Sequence, residues 1–315
     1  MVQPIVSLRD VTKTFRGRAA VDRLSFDVHP GEVFALLGPN GAGKTTTVRM
    51  LVGILAPDSG SLTFALPKDA RGRPDPTRTA YLPEDRGLWR DQPVLGTLVY
   101  LGALRGLSRK DASQRAEEWL KRLDLFERRH DKVETLSKGN QQRVQLAAAV
   151  LHRPSFAILD EPFSGLDPIS QDMFLTLFRT IREEGTTILL SAHQMDLVER
   201  TADRVLLVNK GREILSGGIE ELRRKLRAGT RLRIVAEDAV AGDPLAGLEG
   251  VVSVERPSER ELVVTVEDGR SLSPVLARAA ASFAVRSVAV EEPRLHDVFV
   301  EAVRRDGGAP EPEEG

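Results

Sequence analysis

The sequence predicts an α/β domain built around a parallel sheet, followed by a smaller α+β domain. Short apolar strands alternate with helical patterns as far as about residue 228, and this alternation is typical of a parallel sheet with helices on its faces. After that residue the pattern changes to short strands with few helices between them. A length of 315 residues also favours two domains. We therefore expect a first domain at residues 1–228 and a second at residues 229–305.

The first domain begins with two strands, at 5–11 and 24–28, in which apolar and polar residues alternate as they do in half-buried antiparallel strands. Residues 32–37 are almost wholly apolar, which is typical of a strand covered on both faces. Apolar residues then recur at helical spacing, so residues 86–150 are predicted to form a mainly helical insertion. The elements expected after the insertion are strands at 156–159, 186–190 and 205–208, helices from 168 and from 194, and a last helix at 218–227.

The second domain is predicted to have a split β-α-β-β-α-β arrangement. Its first helix is expected near residues 239–248 and its closing helix at 295–305. The other predicted elements are strands at 231–237, 251–256, 261–267 and 285–291 and a helix at 272–283. Residues 307–315 consist of Gly, Pro, Glu and Ala, so we expect a disordered tail at 306–315.

Composition excludes several classes of function. Lys and Arg number 45 and Asp and Glu number 46, so a net charge of -1 argues against a protein that coats nucleic acid through bulk positive charge. The absence of cysteine excludes disulfides, thiolate zinc sites and cysteine nucleophiles. No apolar run approaches the roughly 20 residues that span a bilayer, and the N-terminus has no signal-peptide core. We therefore expect a cytoplasmic protein without nucleic acid as a partner.

A phosphate-binding loop follows the strand at 32–37 and leads into a helical pattern. Gly38, Gly43, Lys44 and Thr45 fulfil G-x-x-x-x-G-K-[ST], in which backbone N–H groups surround phosphates, the lysine reaches the β and γ phosphates, and the hydroxyl binds Mg²⁺. The dipole at the start of the following helix adds to the attraction for phosphate. The residues expected to bind the nucleotide are Gly38, Pro39, Asn40, Gly41, Ala42, Gly43, Lys44, Thr45 and Thr46.

Two carboxylates end the apolar strand that begins at Phe156. Ligands of open α/β sheets bind at the carboxyl edge of the strands, so Asp160 and Glu161 are expected beside the phosphate loop. Asp160 is placed to hold Mg²⁺, and Glu161 to polarise an attacking water. An acidic turn after a strand is common, so these two carboxylates alone do not indicate a nucleotide site. They do so when a phosphate loop is present in the same chain.

A polar segment, Ser137-Lys138-Gly139-Asn140, precedes an apolar helix 23 residues before Asp160. A serine at this place is also an ordinary helix cap. Together with the two nucleotide motifs, however, the segment resembles the signature segment of ATP-binding cassette (ABC) ATPases. The resemblance covers about residues 4–217 and implies a P-loop NTPase fold, with a RecA-like core, an antiparallel β subdomain and a helical insertion. A small ferredoxin-like domain would follow it.

The resemblance assigns roles to further residues. Phe15 matches an aromatic residue that stacks on adenine, and a core aromatic at a strand end is the alternative interpretation. Asp167 matches a loop that communicates across a dimer, and His193 a switch histidine that contacts the γ-phosphate. Glu84 stands where the family usually has a glutamine that senses the metal, so we expect it to take part in the Mg²⁺ site. Lys44, Glu161 and His193 would then be the catalytic residues.

The departures at Glu84 and Lys138, and an extension ending in Leu295-His-Asp-Val-Phe299, resemble a bacterial subgroup, the ABC-2-type drug and sodium exporters. The subgroup implies a separate membrane permease as partner and a peripheral location on the inner face of the plasma membrane. It also implies a dimer, with itself or with another ABC ATPase, in which the signature of one copy completes the ATP site of the other. The alternative is a non-transport or regulatory ABC ATPase with a ligand-sensing C-terminal domain.

Overall fold

The computed structural model describes residues 3–68, 74–85, 87–225, 229–267, 269–291, 295–297, 299 and 302. The chain divides into two compact units, Met1–Ile219 and Glu220–Gly315. The sequence analysis places its boundary slightly later, after residue 228. The predicted tail at 306–315, and residues 298, 300, 301 and 303–305 of the predicted closing helix, lie outside the described residues, as does residue 86 at the start of the predicted insertion.

A six-stranded sheet forms the centre of the first unit, with strand order β5-β6-β7-β3-β8-β9. The first five strands in that order are parallel, and β9 pairs antiparallel with β8 at the edge. Every residue of β3, β6 and β7 is buried, as expected for apolar strands covered on both faces. The strands are β3 (Val33–Leu37), β5 (Thr79–Leu82), β6 (Phe156–Asp160), β7 (Thr187–Ala192), β8 (Arg204–Asn209) and β9 (Arg212–Gly218).

A three-stranded antiparallel sheet, of order β2-β1-β4, completes the strands of this unit. It consists of β1 (Val6–Phe15), β2 (Arg18–Val28) and β4 (Ser59–Phe64). Both predicted antiparallel strands exist, and they are longer than expected because a tight turn at residues 16–17 joins them into one hairpin. Together the two sheets confirm the predicted fold class.

Helices follow the strands of the first unit in the predicted alternation. Where the structure shows caps, they are short polar residues: Ser108, Ser137 and Asp167 each accept a backbone N–H three residues ahead, which is the usual N-cap geometry. In the helix at Pro168–Glu183, Phe174, Phe178 and Ile181 are buried at helical spacing, so these three residues lie on the buried face of this helix. The helices are α1 (Lys44–Leu51), α2 (Val94–Leu104), α3 (Arg109–Arg122), α4 (Lys138–Val150), α5 (Pro168–Glu183) and α6 (Met195–Glu199).

The second unit begins at the second residue of α7 (Ile219–Lys225) and contains a four-stranded antiparallel sheet of order β11-β12-β10-β13. This order and the antiparallel pairing agree with the split β-α-β-β-α-β arrangement. The elements are β10 (Thr230–Ala236), β11 (Val251–Ser258), β12 (Glu261–Val266), α8 (Ser273–Ser282) and β13 (Val285–Glu291). Its core joins one sheet face to α8 through Leu232, Ile234, Leu262, Val264, Val275 and Ala279.

The predicted first helix of this unit, near residues 239–248, is wrong. Turns occupy this segment, and Gly242 and Gly247 have positive φ values of 63° and 73°, which a right-handed helix does not accommodate. Val240 and Leu245 are nevertheless buried in the core, so the segment covers the sheet without helical hydrogen bonding. Among the described helices, none combines the length and apolar composition that a bilayer span requires.

Candidate nucleotide-binding site

The phosphate loop lies between β3 and α1, and two of its glycines are required by close packing. A Cβ on Gly38 would lie 2.2 Å from the carbonyl oxygen of Val208, and a Cβ on Gly43 would lie 2.3 Å from that of Ala20. Gly43 also has a φ of 103°, in the left-handed region that favours glycine. The backbone of the loop therefore approaches its neighbours more closely than a residue with a side chain permits.

Lys44 is the first residue of α1, and its side chain is almost fully buried, with 5% exposed. Its Nζ donates hydrogen bonds to the carbonyl oxygens of Gly38, at 2.7 Å, and Pro39, at 3.2 Å. The same Nζ lies 3.2 Å from Oε1 of Glu161. The buried nitrogen thus has polar partners on both sides, the carbonyl oxygens of the phosphate loop on one and a carboxylate on the other.

Asp160 is the last residue of β6, and Glu161 follows it. Both are buried, as predicted for the carboxyl edge of the sheet. Burial raises the pKa of Asp160, and the neighbouring negative charges of Glu161 and Glu84 act in the same direction, whereas a hydrogen bond from Ser191 opposes them. The site therefore favours a cation beside Asp160, because a positive charge would offset the cost of burying this carboxylate.

His193 follows β7 and joins the same group. Its Nδ1 lies 2.8 Å from Oε2 of Glu161, and this hydrogen bond raises the pKa of the imidazole against the opposing effect of burial. Because Oε1 of the same carboxylate contacts Lys44, Glu161 bridges the side chains of Lys44 and His193. The structure thus brings together the three residues that the sequence analysis names as catalytic.

Glu84 lies just beyond β5, and its charge contributes to the pKa shifts of both Asp160 and His193. The turn around it is attached to α4, because Nε2 of Gln145 donates to the carbonyl oxygens of Pro83, at 3.2 Å, and Asp85, at 3.0 Å. Sequence reasoning missed Gln145, since only the packing of α4 against this turn reveals its role.

The predicted signature segment forms the N-terminus of α4. The hydroxyl of Ser137 accepts the backbone N–H of Asn140 at 3.3 Å, so this serine is a helix cap whatever else it does. Ser137 and Lys138 are exposed, and Gly139 and Asn140 are half-buried. The segment therefore presents a capped helix N-terminus to solvent.

Asp167 is linked to this helix through a short hydrogen-bonded chain. Nη2 of Arg143 on α4 donates to Oγ of Ser170 at 3.1 Å, and that hydroxyl donates to Oδ2 of Asp167 at 2.9 Å. A Cβ on Gly139 would lie 3.6 Å from the same Oγ. The structure thus brings the predicted signature and the predicted cross-dimer loop side by side, with Arg143 as a connecting residue that sequence reasoning missed.

Phe15 stands at the end of β1 with 46% of its surface exposed, and the Nζ of Lys13 lies 5.8 Å from its ring centroid. The exposure contradicts the alternative interpretation of a core aromatic. An exposed ring is suited to stacking on a base.

The site contains oxygen donors of the kind that Mg²⁺ binds. Among the residues that the structure describes, no group of three or more His, Asp or Glu side chains forms a metal cage. Mg²⁺ does not need one, since it usually binds one or two carboxylates together with phosphate oxygens and water. The buried carboxylate of Asp160 and the half-buried hydroxyl of Thr45, on the helix that begins at the phosphate loop, are donors of the right kind.

A phosphate loop at the edge of a parallel sheet, with a buried lysine, two carboxylates and a histidine, defines a P-loop nucleoside triphosphatase. The family model described as "ABC transporter" matches residues 21–164, and the model for the C-terminal domain of DrrA1-3-like ATP-binding proteins matches residues 217–303. The chain belongs to the family of ABC transporter ATP-binding proteins, and ATP is the nucleotide that it binds and hydrolyses.

Relatives along almost the whole chain agree with this assignment. The chain is 36% identical over 304 residues to the uncharacterized ABC transporter ATP-binding protein YhaQ of Bacillus subtilis, covering 95% of this chain and 98% of that protein. It is 33% identical over 296 residues to the daunorubicin/doxorubicin resistance ATP-binding protein DrrA of Streptomyces peucetius, covering 92% and 89%. A solved ATP-binding subunit of an ABC transporter superposes with a TM-score of 0.62 at 28% identity, over 70% of this chain and 92% of that one.

Proposed function

We propose that this chain drives export of a substrate by hydrolysing Mg-ATP in a dimer attached to a separate membrane permease. The observation that carries the proposal is the bridge from Lys44 through Glu161 to His193 beside the phosphate loop. The names of relatives support export: DrrA and LnrL are resistance ATP-binding proteins, and other relatives are Nod factor export ATP-binding proteins.

Each residue of the site has its own role in phosphoryl transfer. Lys44 exchanges its loop carbonyls and Glu161 for the β and γ phosphates, which leaves the carboxylate of Glu161 available to orient the attacking water. His193 hydrogen-bonds to that carboxylate and braces the γ-phosphate. Asp160, Thr45 and Glu84 would hold Mg²⁺, which when bound neutralises charge that develops on the phosphate oxygens.

The surface near the signature supports a head-to-tail dimer of this chain, either with itself or with another ABC ATPase. Ser137, Lys138 and Asp167 are exposed, and Ile169 beside Asp167 is 78% exposed. Exposed capped helix N-termini attract phosphate, so the signature of one copy would contact the ATP held by its partner. ATP binding would close this dimer and hydrolysis would reopen it, a population shift between two states.

The helical insertion offers a contact surface for the permease. Trp89 is 46% exposed and Tyr100 is 53% exposed, and their rings pack edge to face with centroids 5.2 Å apart. Leu104, on the same helix as Tyr100, is 60% exposed. Exposed aromatic residues that are already ordered favour a protein interface. Contact through the permease would place the chain at the inner face of the plasma membrane.

The ATP-binding part of the proposal is tested with a fluorescent ATP analogue. Lys44→Ala should weaken binding by about tenfold or more, because a charged hydrogen bond to phosphate contributes about 1.5–3 kcal/mol. Lys110→Ala, which removes an exposed lysine from α3, is the matched control and should bind as wild type does. Equal affinity in all three proteins would contradict the assignment of the phosphate loop.

The exporter part is tested by tagging this chain in its source cells and identifying the membrane protein that forms a pair with it. The pair should co-purify in detergent, and substitution of both Trp89 and Tyr100 by alanine should abolish co-purification while ATP binding persists. ATP turnover without any associated membrane subunit would instead favour the regulatory alternative.

A further inference from the structure

Ser191 contacts the carboxylate of Asp160 and the backbone of Glu161, although no motif assigns it a role. It is the fifth residue of β7, it is completely buried, and the parallel register of β6 and β7 places it directly opposite Asp160. Because both strands end at the same edge of the sheet, the backbone fixes the position of its side chain relative to Asp160 and Glu161.

The hydroxyl of Ser191 contacts both acidic residues at once. Its Oγ donates a hydrogen bond to Oδ1 of Asp160 and accepts one from the backbone N–H of Glu161 at 3.1 Å. The backbone carbonyl of Ser191 shares the same N–H, at 3.2 Å. A serine hydroxyl has one proton, so it can engage only one of the two oxygens of Asp160 and thereby fixes the rotation of that carboxylate.

The bond to Glu161 has a second consequence. Glu161 has a φ of 45°, in the left-handed region, where a residue with a side chain is strained. The surrounding structure must therefore hold the conformation, and the described bonds that do so at its N–H both come from Ser191. This conformation is the one in which the Glu161 carboxylate reaches both Lys44 and His193.

We propose that Ser191 is a positioning residue for ATP hydrolysis, which orients Asp160 toward the metal of Mg-ATP and holds Glu161 in its strained, active conformation. The proposal rests on the proposed ATPase function and adds to it a residue that acts through Asp160 and Glu161. Loss of the hydroxyl should therefore affect magnesium-dependent binding and turnover while leaving the phosphate loop intact.

The experiment compares four full-length proteins: wild type, Ser191→Ala, Ser191→Thr and Thr187→Val. Thr187 is the matched control, since it is also buried on β7 and its Oγ1 accepts a hydrogen bond from the N–H of Gly31, at 2.9 Å. Thr187→Val thus removes a buried hydroxyl from the same strand at its opposite end. The assays are steady-state ATPase activity and the affinity for a fluorescent ATP analogue, measured in Mg²⁺ and in EDTA.

Ser191→Ala should lower kcat by about tenfold or more and weaken nucleotide affinity in Mg²⁺, with affinity in EDTA unchanged. Ser191→Thr, which keeps a hydroxyl, should restore most of both properties, and Thr187→Val should behave as wild type. Wild-type kcat and magnesium dependence in Ser191→Ala would overturn the proposal, and so would an equal loss of affinity in Mg²⁺ and EDTA.

Two further controls keep the outcome decisive. If Ser191→Ala does not fold, Ser191→Cys replaces it, because a thiol has nearly the same shape and is a weak donor; wild-type behaviour in that variant would overturn the proposal. Failure of the proposed function has a different signature, since wild type itself would then show no ATP turnover.

Discussion

Gly38→Ala tests whether close packing of the phosphate loop is required for nucleotide binding. The new Cβ would lie 2.2 Å from the carbonyl oxygen of Val208 and 3.2 Å from the Cβ of Ala42. Because the first contact is with backbone of β8, the loop or the strand must retreat by about 1 Å, and overpacking of this kind costs about 1–3 kcal/mol. The carbonyl of Gly38 also accepts a hydrogen bond from Lys44, so the displacement carries the lysine with it.

We expect Gly38→Ala to lower the free energy of unfolding by about 2–3 kcal/mol and to weaken ATP binding by about tenfold or more. The matched control is Gly41→Ala, in the same loop: its φ of 78° is strained for alanine, but nothing lies within 4 Å of the added Cβ. That variant should lose only about 1 kcal/mol. Urea unfolding and titration with a fluorescent ATP analogue measure both effects. Stability and affinity in Gly38→Ala equal to those of Gly41→Ala would refute the packing argument.

Two further predictions concern a buried histidine and a helix cap. Burial, assisted by the charge of Arg105, lowers the pKa of His152 from 6.5 to about 4. The unfolded chain then binds the proton more readily, so the folded protein should lose about 2 kcal/mol of stability as the pH falls from about 7 to about 5. His152→Gln should remove this part of the pH dependence in urea titrations, whereas the exposed control His130→Gln should retain it. An equal change of unfolding free energy with pH in wild type and His152→Gln would contradict the prediction. Asp167→Ala removes the cap that accepts the N–H of Ser170 at 3.0 Å and should cost about 1 kcal/mol in the same assay, whereas an unchanged unfolding midpoint would show that the cap contributes nothing.

The phosphate loop and its flanking elements were predictable because their signals are local. The apolar strand, the glycines and the lysine lie within a single stretch of chain, and the structure has β3, the loop and α1 in that order. Asp160, Glu161 and His193 were predictable from position, since parallel strands bring their carboxyl ends to one edge. Family resemblance was needed for Phe15, Asp167 and Glu84, whose local patterns are not specific.

The features that the sequence did not reveal depend on contacts between distant segments. Ser191, two residues before His193, was not identified as a site residue from the sequence, because its role depends on the register of β6 and β7. Gln145 is a buried residue of α4, where the sequence pattern predicted only that the helix packs. Its hydrogen bonds to the turn at Glu84 arise from tertiary structure. The strand β9 was missed because its glycines and polar residues are poor strand formers.

The helix predicted at 239–248 is absent for a local reason, which is the conformation of its own backbone. A helix was predicted here from the β-α-β-β-α-β order, but two glycines within the segment, at 242 and 247, adopt positive φ values of 63° and 73°. Backbone conformation therefore prevailed over the expected order of elements at this place. Val240 and Leu245 are left in the core without a helix.

The central claim, that Glu161 activates water for ATP hydrolysis, is tested most directly by the turnover of Glu161→Gln. This substitution keeps the shape of the side chain and removes the charge that faces Lys44 and His193. The variant should lose steady-state ATPase activity by about a hundredfold or more, bind ATP as wild type does, and accumulate as an ATP-bound dimer in light scattering. Glu118→Gln, at a half-buried position on α3, should hydrolyse ATP normally. Wild-type turnover in Glu161→Gln would contradict the assignment.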